Sequence, residues 1–131
     1  MIHTTLPVAT QNHSELRDIT REVAGLVKRS GIRDGRCTVY IPHTTCGVSI
    51  NENADPSVKR DILMELDKRI PWKDNYTHAE GNSAAHLKAS LMGFSTTIPV
   101  SGGQLMLGTW QGIYLCEFDG PRSRRVIISI D

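Results

Sequence analysis

The chain lacks an excess of charge of either sign. Lys and Arg number 15 against 14 Asp and Glu, so no long-range field draws the protein to nucleic acid or to an anionic membrane surface. Any attraction for a substrate has to be local. Long hydrophobic runs are missing too: no stretch approaches the apolar length needed to cross a bilayer. The first residues, with His3, Thr4 and Thr5, do not form the basic start and sustained apolar segment of a secretion signal. A cytoplasmic protein is the expectation. Cysteine is scarce and odd in number. Cys37, Cys46 and Cys116 are widely spaced in apolar runs, which suits reduced packing residues better than a disulfide framework or a cysteine zinc site. No low-complexity linker, internal repeat or composition break divides the 131 residues, a length that buries one core without metal or disulfide staples. One domain is expected, and any metal in it would serve function rather than folding.

What is present reads as short strands and amphipathic helices. Residues 2–10 suit a strand, and the next segment puts Leu16, Ile19, Val23, Leu26 and Val27 on one helical stripe that Gly31 can close in the left-handed conformation. Residues 36–42 give another strand, and 46–51 alternate apolar Cys46, Val48 and Ile50 with Gly47, Ser49 and Asn51. Asp55-Pro56 marks a helix start that continues through Val58, Ile62, Leu66 and Ile70. A helix over 83–92 ends at Gly93. Its wheel sets Ala84, Leu87 and Leu91 on one face and Asn82, Ala85, His86 and Ala89 on the other, with Lys88 its only ionised residue. The last third reads as antiparallel strands over 95–100, 104–107, 112–118 and 125–130. The expected class is α+β: a compact single domain with a mainly antiparallel sheet, sandwich or barrel-like, and about three helices.

Chemically capable residues are concentrated in two places. HTTCGVSINENADP, residues 43–56, sets His43, Thr44, Thr45, Asn51, Glu52, Asn53 and Asp55 among few large apolar side chains, a mixture that core packing does not require. Glu52 lies between strand and helix, where functional loops lie, whereas Asp55 serves equally as a helix cap or in a catalytic role. His78-Ala79-Glu80-Gly81-Asn82, followed by His86, is the second place. A lone His86 would read as a core imidazole bonded to a backbone carbonyl, but here it is not alone. Three further features stay open between two roles. Gly102-Gly103 makes an anion-binding turn or a tight hairpin, and Gly108 to Gly112, around Trp110, stacks a flat ring or seats a bend. Arg122, Arg124 and Arg125 suit phosphate oxygens or a solvated strand edge.

Taken together, HTTCGVSINENADP, the stretches Tyr76 to Asn82 and Ala85-His86, IPVSGGQLMLGTWQGIYLCEFDGPR and the closing RRVIISI resemble one family in order along the whole chain. It is the YjbQ-like family, known for a secondary thiamine-phosphate synthase activity. The resemblance implies a small α+β protein assembled as a homotrimer, with a site near subunit boundaries. It also implies a weak transferase activity that joins an aminopyrimidine diphosphate to a thiazole phosphate. Where members often carry alanine in the first motif, this chain has Cys46, which by parity faces the core.

On that reading His43, His78 and His86 hold a divalent ion, with Glu52 as an oxygen ligand or as the acceptor that orients an imidazole. Imidazoles point to zinc or a similar ion, whereas diphosphate chemistry more often uses magnesium. Thr44, Thr45, Asn51, Asn53 and Asn82 bond the substrate, Trp110 stacks on it and Arg122 reaches its phosphate. A metal-dependent hydrolase of a small phosphorylated metabolite, with Glu52 as the base, uses the same residues. A trimeric protein that only binds phosphate or metal is the third possibility.

Overall fold

The computed structural model describes residues 1–131, as eight strands and three helices. Their order is β1 (Ile2–Ala9), β2 (Glu15–Asp18), α1 (Thr20–Ser30), β3 (Gly35–Tyr40), β4 (Cys46–Glu52), α2 (Pro56–Arg69), α3 (Ser83–Met92), β5 (Ser95–Ser101), β6 (Gln104–Leu105), β7 (Gln111–Glu117) and β8 (Ser123–Ile130). Every strand pairing is antiparallel. One sheet runs β1-β8-β3-β5-β6 and the other β2-β7-β4, so the α+β expectation holds.

Strand alternation explains how the sheets stack. On β8, Arg124, Val126, Ile128 and Ile130 are buried while Arg125 is exposed, and on β7 Ile113 and Leu115 join the same core as Val126 and Ile128. Val23 and Val27 of α1 complete that core. The other face of β7 carries Tyr114 and Cys116, which with Phe118 and Leu16 meet Ala85 and Ala89 of α3. By the same two-residue period, Glu117 and Arg124 are sent inward, to the end of the core between the sheets.

Two local expectations need correction. Leu16 does not begin a helix: it is a β2 residue opposite Cys116, and α1 starts at Thr20, where Asp18 Oδ1 accepts the Thr20 amide at 2.9 Å. The physical reason is that Leu16 serves the α3-side core while Val23 and Val27 serve the inter-sheet core, and one helical stripe cannot feed both. On α3 the wheel is turned. Leu87 and Leu91 are exposed, whereas Ala84, Ala85, Ala89 and Lys88 are buried. The helix packs on its small residues because it lies close to β4: a Cβ on Gly47 would stand 2.5 Å from the Gly93 carbonyl, which accepts the Val48 amide at 3.0 Å.

Two open features resolve as structure. Asp55 Oδ1 accepts the Ser57 amide at 2.9 Å with Pro56 next in the chain, so Asp55 caps α2, and the Ser57 hydrogen bonds hold its carboxyl below the usual carboxylate range. Gly102 and Gly103 both have positive φ and join β5 to β6. Their amides are engaged by Asp34 Oδ1 at 3.3 Å and the Arg33 carbonyl at 2.8 Å, which leaves none for an anion.

Candidate functional site

The β3–β4 connection, the loop before α3 and the β7–β8 turn meet beside the inward end of β8. Between them lies a cavity of about 470 Å³, and apart from Pro42 every lining side chain is polar or charged. His43, Thr44 and Thr45 come from the first segment, His78, Glu80 and Asn82 from the second with His86 from α3 itself, and Asp119 and Arg122 from the third with Arg124 from β8. The His78 and His86 rings stand edge to face with centroids 5.3 Å apart. They also form a wall of an adjoining cavity of about 590 Å³ lined by Asn75, Tyr76, Thr77, Ser83 and Leu87.

The floor of the polar cavity is a buried ion pair. Arg124 Nε donates to Glu117 Oε1 at 2.8 Å, and its Nη2 donates to Glu117 Oε2 and, at 2.9 Å, to Thr45 Oγ1. Thr10 Oγ1 at 2.8 Å and the amides of Phe118 and Asp119 at 3.1 and 3.0 Å fill the remaining lone pairs of the carboxylate. Burial pushes the Glu117 carboxyl up, but Arg124, the Asp119 amide and Thr10 outweigh it and hold the group below its ordinary value. The consequence for the site is a guanidinium locked in place. Its Nη1 bonds to no group of the chain and is not among the buried unpartnered atoms, so its free edge is the one available to the cavity.

The other walls are similarly braced. Arg122 bonds the Asp119 carbonyl through Nε at 2.8 Å and Asp119 Oδ2 through Nη2 at 3.0 Å. Asp119 Oδ2 also takes the Asn82 amide nitrogen at 2.9 Å, which orients Asn82 and leaves its Oδ1 buried with no donor. Asn82 precedes α3 but makes no side-chain cap, because Asp119 holds it instead. His43 Nε2 accepts the Arg125 amide at 3.1 Å, so the neutral ring carries its proton on Nδ1. Burial, then the charge of Arg124, hold this imidazole below its ordinary pKa.

Of the residues singled out in the sequence, His43, Thr44, Thr45, His78, His86, Asn82 and Arg122 share this cavity. Thr45 lies under Arg124 as its acceptor. Glu52, Asn51, Asn53 and Trp110 lie elsewhere, at the far end of β4, six residues from Cys46 and so about 20 Å along the strand. There Glu52 pairs with Gln111 and its carbonyl accepts the Tyr114 hydroxyl at 2.9 Å. Asn51 Oδ1 accepts the Glu52 amide at 2.7 Å, and Asn53 packs where Gly112 has no side chain. The segment from Gly108 to Gln111 is a closed bend, with Gln111 Oε1 on the Gly108 amide at 2.8 Å and Trp110 exposed. Glu52 is therefore not the carboxylate beside the imidazoles of this chain. That place belongs to Glu80, 4.0 Å from His78 Nε2, and to Asp119.

The three-histidine metal set does not fit as drawn from the sequence. The rings line one cavity without converging: no three His, Cys, Asp or Glu side chains are grouped to hold an ion, and Nε2 of His43 is taken by Arg125. Glu117 and Asp119 were missed as site residues, and Arg124, open between a phosphate contact and a solvated strand edge, proves to line the cavity. The signal for them was a single carboxylate inside the apolar run IYLCEF, which demands a buried cationic partner, and the inward parity of Arg124.

The fold and this cavity define a small α+β protein of two antiparallel sheets with a histidine- and arginine-lined polar pocket. The chain belongs to the family described as UPF0047 protein YjbQ-like, which it matches over residues 4–131. It is 50% identical over 127 residues to the UPF0047 protein YugU of Bacillus subtilis, covering 96% of each chain. To the UPF0047 protein MJ1081 of Methanocaldococcus jannaschii it is 50% identical over 123 residues, 94% of this chain and 89% of that one. A solved structure of an uncharacterized YjbQ/UPF0047 protein from Clostridium acetobutylicum superposes with a TM-score of 0.96 at 53% identity, covering 98% of this chain and 99% of that one. A YbjQ-like protein of unknown function from Sulfolobus solfataricus superposes with a TM-score of 0.94 at 34% identity, over 98% and 95%. No helix is long and apolar enough to cross a membrane.

Proposed function

We propose that the polar cavity binds the phosphate or diphosphate of a small metabolite, and that the protein is a transferase of the thiamine-phosphate synthase type. The observation that carries this is the free edge of Arg124, held immobile by Glu117 and Thr45 in a cavity it shares with Arg122 and three imidazoles. A guanidinium ordered in advance binds phosphate oxygens without first losing rotamer freedom.

The proposed reaction breaks the bond between a pyrimidine methylene carbon and the departing diphosphate, and forms a bond from that carbon to the thiazole nitrogen. The diphosphate leaves with the electron pair, and no proton need be removed from the nucleophile. Such a step asks for neutralisation of the charge that develops on the leaving oxygens and for alignment of two rings, more than for a base. Arg124 and Arg122 would take the oxygens, the Nδ1–H of His43 and the N–H groups of His78 and His86 would add donors, and the adjoining cavity past His78 and His86 has room for a second ring. A hydrolase with Glu52 as base is less well supported, since Glu52 lies about 20 Å along β4 from this cavity.

The reading includes a homotrimer acting in the cytoplasm. A 14-residue α2 without a buried side chain, and exposed Leu87 and Leu91 on α3, supply surface for such an assembly, and three free buried thiols suit a reducing compartment. The test is diphosphate release from the aminopyrimidine diphosphate with and without the thiazole phosphate. Release that requires the second substrate supports the transferase. Release without it, or none in either case, overturns it.

A further inference from the structure

Lys88 is a buried cation that the histidine cavity does not use. Its side chain is 4% exposed, yet its hydrogen-bond partner is Asp67 Oδ1 at 3.2 Å, on a carboxylate that is 74% exposed. An ammonium has three donors, and Asp67 takes one. The Phe118 ring, 6.0 Å from Nζ, adds a cation–π contact but accepts no further hydrogen bond in the chain. A lysine this deep with spare donors is costly unless something else completes its shell.

It lines a cavity of about 350 Å³, within the size range of small-ligand sites. Leu63 and Leu66 of α2 and Phe118 give it an apolar wall, and His13, set edge-on against Trp72 at 4.5 Å, stands at another side. No lining residue is shared with the histidine cavity, so the inference is independent of the function proposed for that site.

We propose that this cavity binds a free α-amino acid with an aliphatic side chain, its carboxylate on Lys88 Nζ, its ammonium at Asp67 and its side chain over Leu63, Leu66 and Phe118. The charges select the class. A simple carboxylate would meet Asp67, a simple amine would meet Lys88, and a wholly apolar molecule would leave the Lys88 donors unpaired. A zwitterion carries opposite charges one carbon apart and answers both groups of an ion pair 3.2 Å long. The wall then selects an aliphatic body.

Calorimetry and amide chemical-shift mapping on the whole protein test this with L-leucine, isovalerate and isopentylamine as probes. The expected result is L-leucine bound about 10-fold or more tighter than either singly charged probe, with shifts around Leu63, Asp67 and Lys88. Lys88→Met, close in length and apolar, abolishes leucine binding, and Asp67→Asn, which keeps an oxygen acceptor for Lys88 Nζ, lowers it to the isovalerate level. His86→Ala leaves it unchanged. Leucine bound no tighter than isovalerate and isopentylamine, or leucine affinity unaltered by Asp67→Asn, overturns the proposal even if Lys88→Met fails to fold.

Discussion

The backbone amide of Arg125 donates to Nε2 of His43 at 3.1 Å, which joins the β3–β4 connection to β8 and settles which nitrogen of that ring faces outward with a proton. His43 is thereby a hydrogen-bond donor through Nδ1 rather than a free base. Burial, followed by the charge of Arg124, holds its pKa below the ordinary value. The neutral form is favoured in the folded state, so this contribution to stability is present above about pH 6.5 and is lost as the pH falls from there through the folded-state value. Imidazole nitrogen NMR across a pH titration should give a Nδ1–H tautomer and a midpoint below 6.5. A midpoint above that value contradicts the assignment.

Removing one member of the pair under the cavity should be far more damaging than removing both. Glu117→Leu leaves Arg124 buried without its counter-charge and should cost about 3–5 kcal/mol in urea unfolding. The double variant Glu117→Leu with Arg124→Met should recover most of that loss. With its carboxyl held below the ordinary value, Glu117 contributes stability that is present above about pH 4.3 and lost as acid carries the pH through the folded-state value. A loss in the double variant equal to the sum of the losses from Glu117→Leu and Arg124→Met alone would show that the pair carries no coupling.

The approach of α3 to β4 depends on Gly47. An added Cβ would meet the Gly93 carbonyl at 2.5 Å, a backbone atom that can yield only if the helix moves. Gly47→Ala should therefore lower stability by about 1–3 kcal/mol and shift the His86 ring resonances. Thermal melting and ring NMR check the two parts, and an unchanged melt refutes the packing argument.

Glu52 and His86 should separate cleanly in a binding assay with inorganic diphosphate. His86→Ala and Arg122→Gln each remove a lining donor and should weaken binding by about 10-fold or more. Glu52→Gln, at the far end of β4, should change it by less than about 2-fold. A large effect of Glu52→Gln would mean that Glu52 of another subunit completes the site.

Much of the local structure was legible because it depends on neighbours in sequence. Asp55-Pro56 is a helix start wherever the helix goes, and the helix over 83–92 and the alternation of Cys46 and Val48 followed from short-range periodicity. The chemically rich residues were visible as a mixture that packing does not require. Their grouping was legible in part: His43, His78 and His86 share a cavity, as the resemblance implied, whereas Glu52 lies outside it. Glu52 is nine positions from His43, which looks near in sequence, but an extended strand turns such a separation into the greatest distance the chain allows.

By itself, then, the sequence determined the α+β class, the capping of α2, the buried thiols and the list of groups able to do chemistry. Only the tertiary structure decided that Glu52 lies outside the cavity of His43, His78 and His86, that Arg124 is the organising charge there, and that Lys88 is buried while Leu87 and Leu91 are not. The reason is physical: periodicity tells which way a side chain leaves its own element, whereas what it meets there is set by pairing and packing between segments many residues apart.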